Sequence, residues 1–191
     1  MFCKRCQMGN NICLSCFFTD KSSLMKKIIV LFLLCVVTAS YAHEIRIERH
    51  RAIPMRDGVT LYGDVYLPAE PGRYPTIVSR TPYGVQRDGA HKNFIRFAQN
   101  GYAVIFVDVR GRYESEGKWE PFRDEARDGY DIIEWAAVQP FSNGKVATQG
   151  GSYVGHNQWQ TMSENPPHLV AAFPSLASTK DRKSTRLNSS H

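Results

Sequence analysis

After position 35 the 191-residue chain contains no cysteine. That excludes disulfides and thiolate metal sites from everything downstream. Net charge is the second shortage. The chain is +6 overall, yet residues 43–180 hold 16 Lys and Arg against 16 Asp and Glu, so the excess lies in the two ends. A nucleic-acid-binding domain carries its basic footprint on the fold itself, and no such footprint is expected here. Long apolar runs are lacking too. The longest, residues 28–38, is short of the ~20 residues that a membrane span requires. Acid and base are scarce where they matter most. Between Ser152 and Lys180 the one acidic residue is Glu164, and the histidines are His156 and His168.

What is present begins with a leader. "MKKIIVLFLLCVVTASYAHE" starts at Met25 with Lys26 and Lys27, an apolar run, and small residues Ser40 and Ala42. That three-part order is a secretory signal peptide over residues 25–42, cut after Ala42. A secreted or periplasmic protein with no stable membrane anchor is expected; a short anchor is the competing reading. Residues 1–24 carry Cys3, Cys6, Cys13 and Cys16 as two C-x-x-C pairs. A zinc knuckle is one reading. No apolar pattern surrounds the pairs to fold around a metal, so upstream DNA translated from an early start codon is preferred. At the other end, residues 181–191, "DRKSTRLNSSH", have no hydrophobic pattern. In one frame they match the translation of a widely used short-read sequencing adapter. The biological chain is therefore expected to end near Lys180, leaving residues 43–180 as part of one catalytic domain.

Within those residues two alternating, β-rich runs, "EIRIERHRAIPM" and "VTLYGDVYLP", meet at Asp57-Gly58, a hairpin signal. "YPTIVSR" reads as a short buried strand. "HKNFIRFAQNG" has Phe94, Ile95 and Ala98 at helical spacing, with Gly101 as its stop. "YAVIFVDVRG" looks like a central parallel strand. "DGYDIIEWAAVQ" follows as an amphipathic helix, and the charge run "PFRDEARDG" at its start is read as solvated. "KVATQGGS" is a strand, "YVGHNQWQTMSEN" a helix, and "HLVAAFPS" a last strand. This alternation implies an α/β fold, a mainly parallel sheet with helices on both faces and an N-terminal hairpin.

Ser152 in "GGSYVG" sits at one of these strand-to-helix junctions. A nucleophile elbow needs that position, because a sharp turn lifts the serine oxygen above the carboxyl edge of the sheet. The crowding calls for glycines, and Gly150, Gly151 and Gly155 flank it. Gly155 is at +3, whereas the common G-x-S-x-G pattern has its second glycine at +2. A plain Gly-Ser turn is the competing reading.

"IPMRDGVTLYGDVYLP", "RTPYG", "FAQNGYAVIFVDVRGRYESEG", "PFRDEARDGYDIIEWAAVQPFSNGKV" and "GGSYVG" follow one another in order. The set resembles the cocaine-esterase-like (CocE/NonD) family of serine hydrolases, kin of the X-Pro dipeptidyl-peptidases and α-amino-acid ester hydrolases. Its serine motif is G-x-S-Y-x-G, which Gly155 fits. The resemblance implies an α/β-hydrolase fold and acyl transfer through a covalent acyl-enzyme, without cofactor or metal. It implies Ser152 as nucleophile, with the backbone N–H of Tyr153 and the phenol of Tyr83 as the oxyanion hole. A rim aromatic in a Pro-Tyr-Gly turn is the plainer reading of Tyr83. Small-molecule esters or amides, or short peptides, are the implied substrates; esterase, acylase and dipeptidyl-peptidase all stay open, as does the oligomeric state.

α/β-Hydrolases order their triad as serine, acid, histidine. His156 lies on the helix leaving the site, and His168 beyond it. The chain is therefore expected to hold a nucleophile and an oxyanion hole but neither triad acid nor base. A non-catalytic binding module is the alternative. Asp108 and Arg110 are expected to pair with each other. Trp135 and Trp159 are expected to pack, and Phe94, Ile133, Val154 and Phe173 to be short of cover.

Overall fold

The chain divides into two units, Met1–Ala42 and His43–His191. The computed structural model describes Met25 and residues 44–86, 89 and 91–177. The expected leader, cysteine pairs and tail lie outside them, apart from Met25. The second unit is built from β1 (Ile45–Pro54), β2 (Thr60–Pro68), β3 (Tyr74–Thr81), α1 (His91–Gln99), β4 (Ala103–Asp108), α2 (Glu125–Ala137), β5 (Ser142–Gly151), α3 (Tyr153–Ser163) and β6 (Leu169–Ser175).

The strands form one sheet in the order β1-β2-β4-β3-β5-β6. β1 and β2 are the hairpin read at Asp57-Gly58, and Gly58 has φ 84°. β2 pairs antiparallel with β4; β4, β3, β5 and β6 are all parallel. Parallel neighbours need crossovers, and α1, α2 and α3 supply them.

Alternation along the strands makes two cores. On one face Leu61, Val65, Leu67, Ile105 and Val107 meet Ile132, Ile133 and Ala136 of α2. On the other, Tyr66, Val104 and Phe106 meet Phe94 and Ala98 of α1. Helices thus cover both faces, and the α/β expectation holds. Of the four residues expected to lack cover, Phe94, Ile133 and Val154 are buried, because α1, α2 and α3 close over them within this chain. Phe173 is 71% exposed.

Three further expectations are corrected. The run before α2 is not uniformly solvated: Glu125 and Asp128 are buried. Each lies on the first turn of α2 facing an arginine, Glu125 facing Arg80 of β3 and Asp128 facing Arg110 of the loop after β4. Asp108 and Arg110 do not pair. β4 ends at Asp108, and the chain turns before Arg110, so the two side chains do not share a face. Arg110 instead forks onto Asp128, at 2.6 and 2.9 Å, and reaches Asp57 of the hairpin turn at 3.0 Å. Trp159 is 40% exposed on the outer side of α3, although Trp135 does pack against the core.

The buried Arg110–Asp128 fork joins α2, the loop after β4 and the hairpin. Removing one partner strands a buried charge, which costs about 3–5 kcal/mol. Asp128→Ala should lower the urea midpoint accordingly, whereas Arg123→Ala, in the exposed part of the same run, should leave it nearly unchanged. Equal midpoints for the two variants would refute the buried pairing.

Candidate active site

Ser152 joins β5 to α3 with φ 59° and ψ −124°. A non-glycine residue there is strained by about 1–3 kcal/mol and persists only where its surroundings enforce it. Those surroundings are specific. The Ser152 N–H donates to Ser175 O of β6 at 3.0 Å, and the Ser152 carbonyl accepts from Gly155 and His156 N–H groups at 3.0 and 2.9 Å. The backbone is bonded on both sides, while the residue itself is exposed.

The glycines explain how the turn fits. Gly150 has φ 147°, and a Cβ there would lie 2.2 Å from Val154 Cγ1. A Cβ on Gly155 would lie 2.6 Å from Ser175 O and 2.8 Å from Ala177 Cβ. The +3 glycine is therefore a close-approach position between the first turn of α3 and the end of β6. Gly151 closes β5 against Ser175, whose Oγ would be 3.0 Å from an added Cβ.

Tyr153 opens α3. As the first helical residue, it has no carbonyl one turn back within the helix to receive its N–H. That donor lies next to the serine. Its phenol is used differently: it donates to Glu125 Oε1 at 2.8 Å and accepts from Phe122 N–H at 3.3 Å. Burial, with the Glu125 charge adding to it, pushes the Tyr153 phenol up to about 12.

Tyr83 lies in the turn after β3, at the same edge of the sheet. It lines a cleft of about 210 Å³ together with Gly150, Gly151, Val154, Phe94 and Phe106. The structure thus brings Tyr83 and the elbow to one cavity. Among the described residues that line it, none carries a charged side chain.

Beneath the elbow lies a polar cluster that reading the sequence missed. Arg80, buried at the end of β3, pairs with Glu125 at 2.9 Å. It also donates to Glu125 O at 2.9 Å, to Asn157 O at 3.2 Å and to Thr161 Oγ1 at 2.9 Å. Gln158, also buried, donates to Gly150 O at 3.1 Å and accepts from Phe173 N–H at 3.1 Å. An arginine inside the otherwise uncharged "YPTIVSRT" was the available signal.

The histidines are elsewhere engaged. His156 packs edge-on against the Phe122 ring, 4.5 Å between centroids. His168 bonds Glu134 at 2.7 Å, and its carbonyl accepts from Val146 N–H. Val146 is six residues before Ser152, so at ~3.3 Å per residue His168 lies about 20 Å down the strand. Among the described residues, no histidine ring is hydrogen-bonded to the Ser152 side chain. Nor do three His, Cys, Asp or Glu side chains gather among them as a metal site.

A mainly parallel sheet carrying a strained serine between a strand end and a helix start defines the chain as an α/β-hydrolase. It belongs to the X-Pro dipeptidyl-peptidase (S15) family, whose model matches residues 57–189. It is 37% identical over 130 residues to the cocaine esterase of Rhodococcus sp. (strain MB1 Bresler), covering 66% of this chain and 23% of that protein. Among solved structures it resembles a CocE/NonD family hydrolase from Staphylococcus aureus, with a TM-score of 0.65 and 34% identity over 70% of this chain and 28% of that one. An α-amino acid ester hydrolase matches with a TM-score of 0.60 and 30% identity, over 70% of this chain and 25% of that one. The chain thus spans about a quarter of the length of these relatives.

Asp108, buried at the carboxyl end of β4, gives the site a pH signature. Burial pushes its carboxyl from 3.8 up to about 7; Glu114 and Asp64 add to the rise, and the Val85 N–H and Arg112 oppose it. Unfolded chain ionises near 4 while folded chain holds the proton to about 7. Stability contributed by this group is therefore full below pH ~4 and lost as pH rises toward ~7. Relative to Asp108→Asn, the wild-type urea midpoint should fall between about pH 4 and pH 7 and then level off. Parallel midpoint curves would contradict this assignment.

Proposed function

We propose that this chain is the nucleophile-bearing part of an exported serine hydrolase that cleaves ester or amide bonds through a covalent acyl-enzyme. The observation that carries the proposal is the strained Ser152, exposed next to the Tyr153 N–H at an elbow whose glycines share a cleft with Tyr83. Backbone strain held by so many contacts is kept where it serves function.

In the proposed reaction Ser152 Oγ attacks the substrate carbonyl carbon while a general base takes the hydroxyl proton. The carbonyl oxygen gains the negative charge, and the Tyr153 N–H and Tyr83 O–H donate to it. Collapse expels the alcohol or amine, which receives the proton from the base. Water then attacks the acyl-serine by the same route and frees Ser152. Base and acid are proposed to come from outside the described residues, in keeping with the chain's span of about a quarter of its relatives' length. The uncharged cleft suits a small ester, amide or short peptide with an apolar group next to the scissile bond. No cofactor enters this chemistry.

The full-length gene product should be labelled at Ser152 by a fluorophosphonate, and Ser152→Ala should abolish labelling and turnover. Tyr83→Phe should lower kcat by ~10²–10³ with little change in KM, the loss usual for one oxyanion donor. A folded full-length product that takes no label would favour the alternative, a non-catalytic binding module built on the same half-fold.

Export is proposed from the leader, residues 25–42. N-terminal sequencing of protein recovered outside the cytoplasm should begin at His43. A product that retains residue 1 and binds zinc would overturn both the leader and the reading of the cysteine pairs.

A further inference from the structure

The turn that carries Tyr83 is gripped from one side by the loop after β4. Three side chains, one from the last residue of β4 and two from that loop, reach three parts of the turn's backbone. Arg112 Nε donates to Pro82 O at 3.1 Å. The Tyr113 hydroxyl donates to Tyr83 O at 2.7 Å. Asp108 Oδ1 accepts from Val85 N–H at 2.9 Å. From within the turn, Thr81 Oγ1 accepts from Tyr83 N–H at 3.1 Å.

The gripping loop is itself tied down. Ser115 Oγ donates to Asp108 O at 2.7 Å, and Gly111 N–H donates to Glu116 O at 2.8 Å. The Arg112 guanidinium stands over the Trp119 and Tyr113 rings, at 4.6 and 5.3 Å from their centroids. Tyr113 has φ 52° although its side chain is 63% exposed. No core packing compensates that left-handed backbone. What it achieves is to lay the ring over Gly84, where a Cβ would come within 2.8 Å of it, and to bring the hydroxyl to the Tyr83 carbonyl.

An oxyanion donor acts through preorganisation: it must already stand where charge will develop. Tyr83 projects from a turn rather than a strand, so the rigidity of that turn bears on where its phenol stands. We propose that Asp108, Arg112 and Tyr113 are positioning residues that hold the Tyr83 turn in register with the Ser152 elbow. The inference rests on Tyr83 being an oxyanion donor. These residues touch no reacting atom; they act through Tyr83, and their loss should appear in kcat rather than in KM.

The test is a double-mutant cycle in the full-length gene product, with an activated aryl ester as substrate. Tyr113→Phe keeps the ring on Gly84 and removes one hydrogen bond, at an exposed residue whose replacement leaves the core intact. One such bond corresponds to ~3–10-fold. Tyr113→Phe should lower kcat by that factor with KM unchanged, and should cause no further loss in the Tyr83→Phe background. Asp108→Asn, which keeps an oxygen for the Val85 N–H, should hold kcat within about twofold, whereas Asp108→Ala should lose at least as much as Tyr113→Phe. The same fold-loss for Tyr113→Phe in both backgrounds, or no loss in either, would overturn the proposal. Equal kcat for the Asn and Ala variants would overturn it for Asp108. Should Tyr83→Phe alone leave kcat unchanged, it is the oxyanion reading that fails, and this inference falls with it.

Discussion

The guanidinium of Arg80 lies out of water at the end of β3, surrounded by the starts and inner faces of α2 and α3. A buried charge is tolerable only when it is paired and its donors are satisfied. Glu125 supplies the charge, and the carbonyls of Glu125 and Asn157 and the Thr161 hydroxyl supply acceptors. The Arg80 carbonyl in turn accepts from Asn157 Nδ2 at 2.9 Å. These bonds fix where both helices stand relative to the sheet. Gly129 lets them close in: a Cβ there would lie 2.0 Å from Thr161 Oγ1 and 2.9 Å from an Arg80 nitrogen.

The elbow depends on this arrangement from below. Ser152 holds a backbone conformation that the isolated chain avoids, so α3 and β6 must be placed before the strain can be kept. Glu125 reaches α3 a second time through the Tyr153 phenol, whose ring stacks on Phe122 at 4.5 Å. On the other side Gln158 bridges the end of β5 and β6. The residue after the serine is therefore anchored by its side chain, which leaves its N–H aimed by the helix start rather than by the loop. Mobility of Tyr153 would blur the positions of both Ser152, the proposed nucleophile, and its own N–H.

Much of this architecture was legible in the sequence, for reasons that are local. The hairpin at Asp57-Gly58, the helix from His91 to its stop at Gly101, the apolar β4 and the glycine-flanked Ser152 each follow from backbone rules that act over a few residues. The family motifs in fixed order tied those pieces to one fold. What stayed hidden depends on which elements pack together. Glu125 and Asp128 read as solvated because their run is charged; Arg80 and Arg110, which bury them, are far away in sequence. The Asp108–Arg110 pairing failed because a strand end separates two residues that alternation would have placed together. Phe94, Ile133 and Val154 looked short of cover because the sequence does not reveal how fully three helices close over this sheet.

The two oxyanion donors proposed for Ser152, the Tyr153 N–H and the Tyr83 phenol, are held by separate sets of bonds. The Tyr153 N–H moves with the elbow, which rests on α2, α3 and β6. Tyr83 hangs from the loop after β4. Their register is therefore a property of neither set alone. It is set at the end of β3, where adjacent residues face the two systems: Arg80 binds the helices under the elbow, and Thr81 caps the Tyr83 N–H. β3 lies between β4 and β5 in the sheet, paired in parallel with both. A change in the stagger of those pairings would shift Tyr83 against Ser152 by a fraction of a residue rise, about 3.3 Å in full. Hydrogen bonds to a developing charge fail over much smaller distances. The interior of the sheet, rather than any residue at its edge, is what sets the spacing of the proposed nucleophile and donor.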